Sequence, residues 1–238
     1  MASLAKSAAA SRTLSALRSR SAWSVRRVVA TAAITRVYGW IDSGDARCTK
    51  LIAGVLLAAG ESRRFGGKKL LESWRGEPLI ARAARCMLDG GLRQVVVVIP
   101  EDTAMRAALS HLEMTLVENG EPERGIGHSI ALGVGALPRS AEAAMLAVAD
   151  QPLMDEHLIR QLCAAYVPGS IVTPRYGSHR GNPRLFDRRY FAELRELVGD
   201  VGGQAVAAAH PEAIIECVFQ ERSGLDVDRP EDLARLLG

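Results

Sequence analysis

Residues 51–71 read LIAGVLLAAGESRRFGGKKLL. The run Leu51 to Leu57, centred on Val55, has the continuous apolar character of a strand covered on both faces. It opens directly into small residues, Ala58, Ala59, Gly60 and Ser62, followed by the cations Arg63, Arg64, Lys68 and Lys69. Small side chains let backbone N–H groups come close to an anion, and the cations neutralise it. A strand feeding such a loop predicts a polyphosphate site at the strand's carboxyl end. The competing reading is a surface loop that is small and basic by accident, and the strand ahead of it weighs against that.

Two familiar phosphate loops fail on spacing. A Walker loop needs four residues between its glycines and a hydroxyl after the lysine. Gly60 and Gly66 enclose five residues, and Lys68 is followed by Lys69. A dinucleotide fingerprint needs G-x-G-x-x-G at the strand-to-helix turn, and none occurs there. What fits, from Leu57 to Lys69, is L-A-A-G-x-S-x-R-[MF]-G-x-x-K. This resembles the signature loop of the nucleotidyltransferases that act on sugar phosphates and cofactors.

Working outward, strand-like and helix-like segments alternate across residues 51–238. Glu77-Pro78 is expected to open a helix that ends at Gly90-Gly91, with Leu79, Ile80, Ala83, Ala84, Met87 and Leu88 at helical spacing. Residues 94–99 (QVVVVI) read as a buried strand. A helix near 101–111, a strand at 114–117, a helix at 129–137 and a strand at 143–149 follow. Then come a helix near 155–166, a strand at 170–173, a helix near 188–197, a strand near 213–218 and a closing helix at 230–237. That order predicts an α/β fold of three layers, a mostly parallel sheet with helices on both faces. Ligands of such sheets sit over the carboxyl ends of the strands.

The chain of 238 residues carries a net charge of +3, which misleads. Residues 1–41 hold seven Lys or Arg and no acid. Removing those seven from the 30 basic residues leaves 23 against 27 acids, so the folding part is mildly acidic. Its charge lends no support to nucleic-acid binding. No apolar stretch approaches the roughly 18–20 residues of a membrane span. Cys48, Cys86, Cys163 and Cys217 are scattered without a C-x-x-C pair and read as incidental thiols of a reducing compartment, hence a cytoplasmic protein. Residues 1–50, rich in Ala, Ser and Arg, read as a disordered extension. They are either a reading frame extended upstream of its true start or an organelle transit peptide. The nucleotidyltransferase domain is then residues 51–238.

Other residues can carry chemistry. Asp150, in Asp150-Gln151-Pro152, follows the strand at 143–149 and would suit magnesium, a hard cation that takes one or two carboxylates. It also reads as a turn or helix-cap residue. Gly125-Ile126-Gly127-His128-Ser129-Ile130 is a second glycine-rich turn into a helix, able to accept a ribose, base or phosphate at Gly127 and Ser129 or simply to start the helix. His128 reads as an exposed loop residue rather than a general base. Residues 175–184 (RYGSHRGNPR) are either a second anion site or a solvated loop, and 199–203 (GDVGG) is a turn that could line the same cleft. Asp228 reads as a second metal carboxylate or as the cap of the last helix.

Taken together, LAAGESRRFGGKKL (57–70), ERGIGHSIALG (123–133), ADQP (149–152), RGNPRLF (180–186), GDVGG (199–203) and LDVDRPEDL (225–233) resemble the molybdenum cofactor cytidylyltransferase family. The resemblance implies transfer of CMP from CTP, or of GMP from GTP, to the terminal phosphate of molybdopterin with release of pyrophosphate. It implies a nucleotide site at Leu57, Ala58, Ala59, Gly60 and Ser62 with Gly127 and Ser129. Arg64 and Lys69 are its catalytic cations, and Asp150 is its catalytic carboxylate and Mg2+ ligand, to which Asp228 is the candidate second metal carboxylate noted above. Arg180, Asn182 and Gly202 are implied on the acceptor side, and a downstream molybdoenzyme or its chaperone as recipient. Lys68 has no family role. Gln151 stands where some relatives carry Met and Asn182 where some carry His, which leaves nucleotide and acceptor preference open. Transfer to a sugar or polyol phosphate is an alternative, as is a non-catalytic accessory protein that hands molybdopterin to a partner.

Overall fold

The structure, a computed structural model, describes residues 26–28, 51–60, 65 and 68–237. The strand expected from the opening stretch is β2 (Ile52–Leu57), after a short β1 (Arg26–Val28). Ile52, Ala53, Val55 and Leu56 are all buried, as a strand covered on both faces requires. Their side chains alternate between two cores. Ile52 and Leu56 face one apolar cluster, and Ala53 and Val55 face the other.

Downstream come the hairpin strands β3 (Ser73–Trp74) and β4 (Glu77–Pro78), then α1 (Leu79–Asp89), β5 (Val95–Pro100), α2 (Thr103–Leu109) and β6 (Thr115–Asn119). After these lie α3 (Ile126–Gly135), β7 (Ala143–Val148), α4 (Glu156–Ala165), β8 (Ile171–Tyr176), β9 (His179–Arg180) and β10 (Arg184–Asp187). The chain ends with α5 (Phe191–Arg195), α6 (Gln204–Ala209), β11 (Ile214–Phe219) and α7 (Pro230–Leu237). The main sheet runs β1-β11-β8-β10-β7-β2-β5-β6, with β9 paired to β8. Helices α1, α2 and α4 pack on the face of the first cluster, and α3, α5 and α6 on the other. This is the three-layer, mostly parallel α/β architecture that the alternation of segments predicts.

Three features differ from expectation. Glu77-Pro78 leads into the helix with Pro78 as its N-cap, but it is also a strand that pairs with Ser73–Trp74 across a two-residue turn, Arg75-Gly76, with φ of 54° and 85°. Positive φ at both positions is the turn whose twist matches a hairpin. Residues 184–187, only four long and charged at both ends, form β10, antiparallel to β7 and β8. The chain returns from β8 within seven residues, too few for the crossover that a parallel neighbour would need. The helix expected at 188–197 is divided into a 3-10 turn over Arg188–Tyr190 and α5 over Phe191–Arg195.

Arg26–Val28 falls in the stretch expected to be disordered and lies parallel to β11. The rest of residues 1–50 lies outside the described residues, as do Ser62, Arg63 and Arg64. No helix among the described residues is long and apolar enough to cross a membrane.

Candidate active site

Two parallel neighbours, β2 and β7, end at the same sheet edge, and their carboxyl ends build the site. Ala149 donates its backbone N–H to Leu57 O (3.2 Å), and Ala58 donates to Val98 O (2.8 Å). The small-residue turn Ala58-Ala59-Gly60 therefore starts with its backbone clamped on both sides. It floors a cleft of about 270 Å³ lined also by Lys69, Asp150, Gly125, Ile126, Ser129 and Asp200.

Gly125 lines this cleft, whereas Gly127, expected at the nucleotide, does not: it is buried against the 197–200 backbone. The backbone of Leu197 to Asp200 presses against them, and Gly127 N–H donates to Gly199 O (2.9 Å). A Cβ at Gly125, whose φ is 85°, would lie 2.4 Å from Gly199 C, and one at Gly127 2.8 Å from Leu197 C. Two turns separated by some seventy residues are thereby docked, and the second carries Asp200 into the cleft. Ser129 is held from behind: its Oγ accepts from Nδ2 of the fully buried Asn119 (3.0 Å), at the end of β6. His128 is not an exposed loop residue. It lies in the first turn of α3, 17% exposed, with Nε2 3.8 Å from Glu121 Oε2.

The adjacent lysines part company. Lys69, in a 3-10 turn over Lys69–Leu71 and 8% exposed, turns into the cleft, and its Nζ donates to Asp150 Oδ2 at 2.8 Å. Asp228 Oδ1 lies 3.9 Å from the same nitrogen. Lys68 turns the other way and pairs with Asp102 (2.6 Å), which also caps α2 by accepting from the N–H groups of Ala104 and Met105. The Lys68 ammonium beside it holds the Asp102 carboxyl below its usual range, with the two amide donors helping.

The C-terminal segment 225–228 closes over Asp150. Val227 N–H donates to Asp150 O (2.9 Å), and Gln151 Nε2 donates to Asp226 Oδ1 (2.8 Å). Asp226 keeps an open face to solvent yet is crowded by protein. That partial desolvation, and then the charge of Asp150, raises its carboxyl pKa against the pull of Gln151. Asp228 takes its backbone restraint from Asp232, whose Oδ2 accepts from the N–H groups of Asp228 and Arg229. Among the described residues no three His, Cys, Asp or Glu side chains gather as a metal site. Asp150 and Asp228, however, both face one ammonium. Two carboxylates around a cation are a donor set that suits magnesium, which completes its shell with phosphate and water.

Beyond Leu57, Ile126 and Val148 the cleft continues into a recess lined by Asn182, Arg184, Gly202, Gly203 and Gln204. Asn182 and Gly202, implied on the acceptor side, meet there. Arg180 does not line it: it lies on β9 with Nε donating to Glu216 Oε1 (2.7 Å). Arg184 closes the 175–184 run read from sequence as an anion site or a solvated loop, without being singled out in it. It stands in the RGNPR run, but its burial depends on β10, which the sequence did not reveal.

A family model described as the MobA-like NTP transferase domain matches residues 54–214, which take in the turn, Lys69, Asp150 and the recess. The chain belongs to the MobA-like NTP transferase family. It is accordingly a nucleotidyltransferase of the MobA-like type. It is 32% identical to nicotine blue oxidoreductase of Paenarthrobacter nicotinovorans over 78% of this chain and 96% of that protein. It is also 32% identical to a probable molybdenum cofactor guanylyltransferase of Bacillus cytotoxicus, over 48% of this chain and 56% of the relative, so it spans just over half the length of that protein. Among solved structures, Rv0371c from Mycobacterium tuberculosis H37Rv is 26% identical and superposes with a TM-score of 0.71, over 79% of this chain and 98% of that one. A structure of the same mycobacterial protein in complex with manganese superposes with a TM-score of 0.65.

Proposed function

We propose that this MobA-like nucleotidyltransferase transfers CMP from CTP to the terminal phosphate of molybdopterin and releases pyrophosphate. The observation that carries the reading is the Lys69–Asp150 pair facing the Leu57–Gly60 turn in a cleft that continues into a second recess. The larger cleft, about 270 Å³, is assigned to the nucleoside triphosphate, and the recess, about 30 Å³, to one small group of the acceptor rather than the whole molecule.

In this reading a phosphate oxygen of the acceptor attacks the α-phosphorus in line. A new P–O bond forms, and the bond bridging the α- and β-phosphorus breaks with its electron pair going to pyrophosphate. Such transfers rest on positioning and charge stabilisation, so no nucleophilic side chain is required. Backbone N–H groups of Ala59 and Gly60 cradle phosphate oxygens, Ala58 anchors the turn through its bond to Val98 O, and Ser62 joins them. Ser129 contacts the nucleoside, and Gly127, whose N–H donates to Gly199 O, keeps the turn behind it in place. The Lys69 ammonium and the Arg64 guanidinium stabilise charge on the α-phosphate and the leaving group. Asp150 and Asp228 would hold a divalent cation, which supplies further charge neutralisation at the phosphates when bound. Asn182 and Gly202 contact the acceptor.

The test is pyrophosphate release by the purified chain with magnesium and molybdopterin, offering CTP, GTP, ATP and UTP separately. Release with CTP alone supports cytidylyl transfer. Release with GTP alone keeps the reaction and changes the product, as the name of the Bacillus relative would suggest. A second reading has one specific support: the relative matched over 96% of its length is named an oxidoreductase. Redox turnover of an organic substrate, with no pyrophosphate from any triphosphate, would favour that reading instead.

A further inference from the structure

The recess beside the nucleotide cleft contains a buried charge that has no counter-ion among the described residues. Arg184, the first residue of β10, is 9% exposed. Its Nε donates to Oγ1 of Thr173 on β8 at 3.1 Å, and Thr173 is itself fully buried. Among the described residues no carboxylate pairs with it. The nearby acid Glu216 is engaged by Arg175 (3.5 Å) and Arg180 (2.7 Å). Burial, and then the like charge of Arg180, lowers the Arg184 guanidinium pKa, but an arginine stays charged inside a protein.

A desolvated cation is costly unless something negative meets it, and a buried charge ordinarily has its partner within the fold. Here the fold supplies one hydroxyl at Nε. The rest of the five-donor fork belongs to a side chain that lines the recess with Asn182, Gly202, Gly203 and Gln204. Planar guanidinium forks match phosphate oxygens two at a time. The recess shares Leu57, Ile126 and Val148 with the nucleotide cleft, so an anion held there lies next to the triphosphate site.

We propose that Arg184 is the residue that grips the phosphate monoester of the acceptor, and that Thr173 orients it. The proposal rests on the nucleotidyl-transfer reading above and refines it by making a buried arginine, rather than the exposed Arg180, the main acceptor cation. A bound acceptor phosphate supplies the missing counter-charge, and an uncharged acceptor leaves the guanidinium desolvated and unpaired.

The experiment compares wild-type protein with Arg184→Met, which keeps the volume and removes charge and donors, and with Arg184→Lys. In pyrophosphate release with molybdopterin, Arg184→Met should raise the acceptor KM about 10- to 100-fold, the scale of a lost hydrogen bond to a charged group. The dissociation constant for CTP, measured without acceptor, should stay within about twofold of wild type, and Arg184→Lys should recover part of the loss. An unchanged acceptor KM, or an equal loss of CTP affinity, overturns the proposal. If Arg184→Met does not fold, Thr173→Val keeps the charge and loosens its orientation. It should raise the acceptor KM several-fold with CTP binding intact, and no change would count against the assignment. Should wild-type protein release no pyrophosphate with any triphosphate, the transfer reading fails by itself. Calorimetric titration with phenyl phosphate then decides on Arg184 alone: binding to wild type that Arg184→Met abolishes supports it, and no binding to wild type ends it.

Discussion

Lys69 Nζ and Asp150 Oδ2 stand 2.8 Å apart although 81 residues separate them in the chain. The contact joins the loop after β2 to the end of β7, and it places a cation and a carboxylate at the mouth of one cleft. Lys69→Met should lower turnover by about 10²–10³-fold, the scale of a lost charge-stabilising donor. Asp150→Ala should abolish it with the fold intact. Near-wild-type pyrophosphate release by the Asp150 variant would remove that residue from the mechanism.

Lys68 supplies the internal control. Its ammonium pairs with Asp102 at the start of α2 rather than with the cleft. Lys68→Ala should leave turnover within about twofold of wild type and cost about 0–1 kcal/mol of stability, as an exposed ion pair does. A rate loss matching that of Lys69→Met would mean that the two lysines share the work.

Chelation tests the carboxylate pair. With EDTA, pyrophosphate release should cease, and either magnesium or manganese should restore it. Asp228→Asn keeps Asp150 and removes one charged donor, so half-maximal activity should need several-fold more metal, with the same maximal rate at saturation. A metal requirement identical to wild type would confine Asp228 to its place beside α7.

Close packing of the two glycine turns makes Gly127 sensitive to a single methyl group. Gly127→Ala places Cβ 2.8 Å from the backbone of Leu197 and Val198, which cannot rotate away. The strain should cost about 1–3 kcal/mol, a fall in melting temperature of roughly 2–10 °C for a domain of this size, and nucleotide affinity should fall with it. Calorimetric melting with and without CTP measures both.

Acid stability should depend on Asp187, 7% exposed at the end of β10. Its Oδ2 accepts from Tyr166 Oη (2.8 Å) and Gly169 N–H (2.6 Å), and its Oδ1 from Arg189 N–H (3.0 Å). Burial works to raise its pKa, but the two amides and the hydroxyl prevail and the net shift is downward. The stability it contributes is therefore complete above the ordinary carboxylate value of about 4 and is lost as pH falls through the lower folded value. Asp187→Asn turns a donor toward those donors and should cost about 1.5–3 kcal/mol at pH 7. Urea midpoints followed from pH 7 to 3 should fall less steeply for the variant, and parallel curves would dismiss this residue as the cause.

Local pattern made β2, β5, β7, α1 and α4 legible, because a buried strand or an amphipathic helix writes its period into neighbouring residues. The small-residue turn Ala58-Ala59-Gly60 could be placed for the same reason, because it directly continues a recognisable strand. Asp150 could be named because it directly follows a recognisable strand. The hairpin Ser73–Pro78 and the four-residue β10 left too short a pattern to register, and the second changes the sheet by inserting an antiparallel strand between β7 and β8. That only Lys69 of two neighbouring lysines enters the cleft, that residues 197–200 dock on Gly125 and Gly127, and that Arg184 is buried with no carboxylate partner among the described residues were decided by tertiary structure alone. A charge's partner depends on which distant segments the fold brings beside it, and periodicity along the chain carries no record of that.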